Sequence, residues 1–282
     1  MERHYATISV IGEDKSGVVA EVTQLLFQHQ ANIEALEEQV TRGEFSMTIQ
    51  ASWHPDHFQS ETIQTELSAL ESRLGMEIRL RHAPPGTRQK MALFVTRESH
   101  CLETILKAVR DDELQADPVV IVSNHRFLEP LAAAFNVPFR YIDWNDRKAA
   151  EAQALKIVDE FEAHFIVLAR FMKILSPNFA WRHKNKIINI HPSLLPSFPG
   201  PQAYRQAYEH GVKIAGVTAH FVSMHLDEGP IIAQGSFEIE PHMSLKDVVR
   251  AGQSQERVVL LKAIQAYLTK RLDVYWGKVR EV

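Results

Sequence analysis

At Ala83–Lys90 the chain reads APPGTRQK, and its rhythm differs on the two sides of that stretch. Two prolines and a glycine between periodic segments mark a domain boundary, because proline interrupts both helix and ladder. Before it, YATISVI (Tyr5–Ile11) predicts a strand and GEDKSG a polar turn. Val18, Val19, Val22, Leu25 and Leu26 then recur at helical spacing. Ile33–Val40 and Phe45–Ala51 read as two strands turned by TRGE, Asp56–Leu74 as a second helix, and Met76–His82 as a last strand. That order, βαββαβ, is a split-βαβ pattern. After the interruption strand and helix alternate. MALFVT, PVVIVSN, VPFRYI, HFIVLA and KIINI are strands, separated by helices at Leu102–Val109, Phe127–Phe135 and Lys148–Phe161. These strands are apolar without alternation, so both of their faces are covered, which predicts a doubly wound, mostly parallel sheet. The expected fold is α/β in two domains, 1–83 and 91–282, with 84–90 as linker.

With 282 residues, each domain has enough chain for a core. A formal net charge of −4 gives no electrostatic basis for a nucleic-acid or anionic-membrane partner. The local basic run WRHKNK (Trp181–Lys186) reads as a solvated helix end. No apolar run approaches the roughly 18–20 residues of a membrane span, and MERHYATISV does not read as a signal peptide. The single cysteine, Cys101, excludes an intrachain disulfide and fits a reducing cytoplasm.

Ligands of open parallel sheets sit beyond the carboxyl ends of the strands. There the sequence reads INIHPSLLPSFPG (Ile188–Gly200). Asn189 and His191 are two apart, so on an extended strand they face one volume. An amide can hold a developing oxyanion and an imidazole can move protons, which together suit acyl chemistry. Taken alone, the pair reads more readily as a hydrogen-bonded polar pair near a sheet edge. A second stretch, GVTAHFVSMHLDEGPIIAQ (Gly216–Gln234), changes that balance, because its polar loop carries Asp227 between two β-rich runs. A carboxylate there would orient the imidazole and anchor a water. His220, His225 and Asp227 match no zinc spacing, so no metal is expected, and His220 is expected on the inward face of its strand. Cys101 reads as a buried, inert thiol. Ser193 lacks a nucleophile elbow, and no G-x-G-x-x-G follows a strand.

INIHPSLLPSF, LDEGPII and VLARFMKILSP (Val167–Pro177) together resemble the folate-dependent formyltransferase family, from about Met91 onward. The resemblance implies that Asn189, His191 and Asp227 are catalytic. It implies a folate pocket lined by Met172, Lys173, Leu175 and His220, with the loop Val222–Asp227. The first domain resembles an ACT domain, of ferredoxin-like fold. That implies dimerisation, and an amino-acid effector bound near Asp14, Gly17 and Asn32 is as consistent with the residues as dimerisation alone. The two modules in series are similar to the formyltetrahydrofolate deformylases, a likeness shared by SHCL and VSNH. RESHCLETIL (Arg97–Leu106) has no glycine where the glycinamide ribonucleotide formyltransferases bind phosphate, which argues against a phosphorylated acceptor. HPSLLPSF is nearer the transferase spelling.

The resemblance therefore implies a hydrolase acting on a linear amide, cleaving 10-formyltetrahydrofolate to formate and tetrahydrofolate. Such an enzyme belongs to one-carbon metabolism and purine biosynthesis, needs no cofactor because the folate is substrate, and is a homodimer or homotetramer. A formyltransferase to an amine and a non-catalytic folate or amino-acid sensor are the alternatives.

Overall fold

The computed structural model describes residues 3–41, 43–82, 87–269, 272–275 and 277–281. The chain forms two compact units, 1–87 and 88–282. Of the expected linker, 84–86 lie outside the described residues, and Gln89 and Lys90 fall within the first strand of the second unit, which opens at Gln89. Arg88 fixes that start. Its guanidinium donates to Asp112 and Asp117 (2.9 Å each), and to the carbonyls of Leu114 and Ala116.

The first unit runs β1 (His4–Glu13), α1 (Val18–Gln28), β2 (Asn32–Thr41), β3 (Glu44–Trp53), α2 (Ser60–Leu74) and β4 (Glu77–His82). Its antiparallel sheet has the order β2-β3-β1-β4. Val18, Val22 and Leu26 of α1 and Ile63, Leu67 and Leu70 of α2 pack on Ile8, Val10, Met47 and Ile49. The second helix is shorter than its periodicity predicts. Pro55–His57 form a separate 3₁₀ turn, and the extended backbone of Phe58 breaks the register before Ser60.

The second unit continues with β5 (Gln89–Val95), α3 (His100–Arg110), β6 (Ala116–Ser123), α4 (Glu129–Ala134), β7 (Phe139–Tyr141), α5 (Arg147–Glu160) and β8 (Phe165–Leu168). Then come α6 (Pro177–Arg182), β9 (Ile187–His191), α7 (Ala203–Glu209), β10 (Ile214–Phe221), β11 (Ile231–Glu238), α8 (Leu245–Thr269), β12 (Leu272–Tyr275) and β13 (Lys278–Glu281). Seven strands form one sheet in the order β11-β10-β9-β8-β5-β6-β7. β5 to β9 are parallel, and β10 runs antiparallel to both β9 and β11.

Successive residues of β5 enter different cores, which is why its sequence does not alternate. Met91, Leu93 and Val95 pack with α3 and α8, while Ala92 and Phe94 pack with α5 and Phe179. The WRHKNK run is not a solvated helix end, since Trp181 and His183 are buried at 7% and 1% exposure and Lys184 lies over the Trp181 ring. Among the described residues, no helix is long and apolar enough to cross a membrane.

Candidate active site

Asn189 lies level with Leu168, the last residue of β8, and β9 carries His191 two residues further toward the carboxyl end of the sheet. Beyond His191 the loop Pro192–Gly200 folds back across the strand end. Its prolines are only part of the stiffening. The Thr218 hydroxyl, buried on β10, donates to Ser193 O (2.7 Å) and accepts from Leu195 N–H (3.0 Å), and Gln234 Nε2 donates to Leu195 O (3.1 Å). Pinned in this way, the loop presents Phe198 O to His191 Nε2 at 3.2 Å and the Gly200 N–H to Asp227 Oδ2 at 3.0 Å.

Asp227 arrives on the loop between β10 and β11. Its backbone is left-handed (φ 58°), unusual for a residue with a side chain and often a mark of functional sites. Oδ2 lies 3.4 Å from His191 Nδ1, and both side chains are buried. The two ring nitrogens therefore both face oxygen acceptors; a neutral ring can donate to one of them and a doubly protonated ring to both. Burial pushes the Asp227 carboxyl upward. The hydrogen bond from His191 and the Gly200 N–H outweigh that and hold it below the usual carboxylate range.

His220 stands directly opposite Asn189 in the β9–β10 ladder. Its Nδ1 is 2.8 Å from Phe221 O, which can only accept, so the proton sits there. Nε2 is then left to accept from Asn189 Nδ2 at 3.2 Å. Burial lowers the His220 pKa, an effect only partly opposed by that carbonyl, and so favours the neutral ring that this pairing requires. The Asn189 amide is thereby oriented. Tight closure of the loop depends on Gly229, where an added Cβ would stand 1.7 Å from Phe221 O.

A cavity of about 790 Å³ opens onto these groups. Asn189, His191 and Asp227 line it together with Met172, Lys173, Leu175, Val222 and His220. Met172 and Ile174 (58% exposed each) and Leu226 (53%) also line it, large exposed apolar side chains of the kind that an apolar ligand can cover. Sequence reasoning named Leu226 only as part of the loop Val222–Asp227 and passed over Ile174, Arg170 and Tyr204. Ile174 sits in a run already singled out, whereas Arg170 and Tyr204 depend on distant partners. His225 is exposed on the loop. Asp14 and Gly17 occupy the turn from β1 into α1 and Asn32 opens β2, all three exposed.

Behind the cavity lies a buried polar network. His100 Nε2 is 2.7 Å from Glu256 Oε2, the Tyr204 hydroxyl donates to Glu256 Oε1 at 2.7 Å, and Arg170 Nε lies 3.4 Å from Glu256 Oε2. Arg170 also binds Glu98 through Nε and Nη2, at 3.2 Å each. Burial alone would raise the Glu98 carboxyl, but Arg170 outweighs it and holds the group low. His100, Cys101 and Glu256 bring ligand atoms within 4.8 Å of one another, a size that suits a metal. Their chemistry does not fit one. The imidazole and carboxylate already bond each other, a guanidinium lies beside the same carboxylate, and burial and Glu256 push the Cys101 thiol far from its anion.

A formyl transferase family model matches residues 89–264 and an ACT domain model residues 4–81. The chain is 35% identical over 280 residues to a formyltetrahydrofolate deformylase of Escherichia coli K12, covering 96% of each chain. It is 34% identical to the Bacillus subtilis protein of that name, covering 94% of this chain and 89% of the relative. A solved formyltetrahydrofolate deformylase from Pseudomonas syringae pv. tomato superposes with a TM-score of 0.69 at 30% identity, covering 100% of this chain and 95% of that one. A glycinamide ribonucleotide transformylase from Symbiobacterium toebii matches at TM-score 0.67 and 29% identity, over 72% of this chain and 98% of that one.

Proposed function

Because the chain belongs to the formyltetrahydrofolate deformylase family, we propose that it hydrolyses 10-formyltetrahydrofolate to formate and tetrahydrofolate, with Asn189, His191 and Asp227 as the catalytic residues. The observation that carries the reading is the meeting of the three side chains at one cavity, with the imidazole 3.4 Å from a carboxylate on a different loop.

The folate enters along Met172, Lys173, Leu175 and Val222, with the formyl group directed at Asn189. A water held by Asp227 and His191 attacks the formyl carbon and gives up a proton to the imidazole. The Asn189 amide, aimed by His220, donates to the oxyanion as it forms. The amine nitrogen of tetrahydrofolate leaves only once protonated, and His191 is the group placed to deliver that proton. The nucleophile is water and the folate is substrate, so this route calls for no cofactor.

The same reading makes the first unit a regulatory and assembly module, with an amino-acid effector near Asp14, Gly17 and Asn32 and a homodimer or homotetramer as the working form. Support for assembly comes from the edge strand β2, where Ile33, Leu36 and Val40 are 37%, 36% and 50% exposed. The buried lone thiol, Cys101, suits a cytoplasmic setting. The deciding experiment is formate release by the purified protein from 10-formyltetrahydrofolate, with and without candidate amines. Hydrolysis predicts full turnover with no amine present. Turnover that appears only when an amine is added would assign the protein to formyl transfer instead.

A further inference from the structure

Arg170–Ser176, which carries Met172, Lys173 and Leu175, is irregular backbone between β8 and α6, yet it is fastened at several points. At its start Arg170, left-handed at φ 63°, is gripped by Glu98 and Glu256. Within it, the Met172 N–H donates to Thr96 Oγ1 at 2.9 Å. At its end the Ser176 N–H donates to Glu151 Oε1 at 2.7 Å and the Ser176 hydroxyl donates to Glu151 Oε2. The same Ser176 Oγ caps α6 by accepting from the Phe179 N–H at 3.2 Å. Glu151, on α5, is 8% exposed, and among the described residues no basic side chain pairs with it. A buried carboxylate without a counter-cation is unfavourable unless donors satisfy it, and both of the donors here belong to the end of this one segment. None of Glu98, Glu151 and Glu256 lines the cavity.

We propose that Glu151 at one end, and Glu98 with Glu256 at the other, are positioning residues that hold Arg170–Ser176 in the shape that receives the folate. This rests on the folate reading above. The substrate then meets backbone already in place, and the ordering cost that a loose loop would add to binding is avoided.

The test separates binding from chemistry. Glu151→Ala should raise KM for 10-formyltetrahydrofolate and Kd for tetrahydrofolate roughly tenfold, with kcat held within about twofold. Glu151→Gln, which keeps one acceptor and the volume, should recover part of the loss, and Glu256→Gln should show the same split. Hydrogen exchange at the Met172 and Ser176 amides should quicken in Glu151→Ala while the strand amides of β8 and β9 do not. Should Glu151→Ala fail to fold, Ser176→Ala carries the same expectation. Unchanged KM and Kd in folded variants, or a fall in kcat with KM intact, would overturn the proposal. Wild-type protein that binds no tetrahydrofolate would remove the folate reading together with this one. Wild-type and variants that bind equally well would remove this one alone.

Discussion

Two polar groups of the second unit border the same cavity and differ in how completely they are paired. Around Glu256, Oε1 accepts from Tyr204 and Oε2 meets both His100 and Arg170, with the carboxylate wholly buried. Around His191, Nε2 meets Phe198 O at 3.2 Å, but Nδ1 is 3.4 Å from Asp227, longer than an ordinary hydrogen bond. The Asn189 amide bonds only His220 among the described residues, which leaves it a further N–H and its oxygen. A saturated network has nothing left to offer a substrate and serves to hold walls in place. Spare donors and acceptors facing a cavity are the capacity that a reaction uses.

The sharpest way to break this contrast is to remove members of each group. His191→Ala should lower kcat for formate release by about 10²–10⁴ and leave the melting temperature near wild-type. Asp227→Asn should also abolish most turnover without unfolding the protein, and near-wild-type rates would remove Asp227 from the mechanism. Asn189→Ala should cost about 10²–10³ in kcat through the lost oxyanion donor. Glu256→Ala should leave kcat near wild-type, raise KM as Glu256→Gln does, and act most strongly on stability. It strands Arg170 and the two side chains bonded to Glu256, a loss of about 3–5 kcal/mol that urea unfolding would read.

A finer probe is Gly252→Ala on α8, whose Cβ would come within 2.1 Å of Tyr204 Cζ. Displacing that ring should cost about 1–3 kcal/mol, with the Tyr204–Glu256 bond loosened and Asn189, His191 and Asp227 left in place. The smallest effect concerns pH. Burial keeps folded His220 neutral below the 6.5 at which the unfolded ring takes its proton. The unfolded state therefore binds more protons in that window, so stability is complete above about pH 6.5 and falls as the pH drops toward the lower folded value. His220→Asn should flatten the slope of melting temperature below about pH 6.5. A slope of unchanged size in that variant would mean another group is responsible.

What the sequence made legible follows the range of the interactions involved. The i, i+2 spacing of Asn189 and His191 is local, so their common direction could be read from the strand alone. The two-sided burial of β5 was likewise written in MALFVT. Asp227 was reachable because a hairpin loop with a carboxylate is itself a local pattern. His100 and Glu256 are separated by 156 residues and meet only because α3 and α8 pack on one face of the sheet. The identity of Glu256, one charge in a helix of ordinary composition, gives no sign of that meeting. WRHKNK misled for the opposite reason. Its charges dominate the run by count, while Trp181 and His183 turn inward on the final turn of α6 and just past it.

The closed turn at Gly229 has a consequence for how such a chain can drift. The position has no side chain to offer a reactant, and its backbone lies so near Phe221 O that any replacement must push the Asp227 loop outward. A lineage could exchange most of the apolar residues around the mouth of the cavity and keep its chemistry. One extra methyl group at 229 would move the carboxylate away from its imidazole, so natural variation should be narrowest at a residue that takes no part in the reaction.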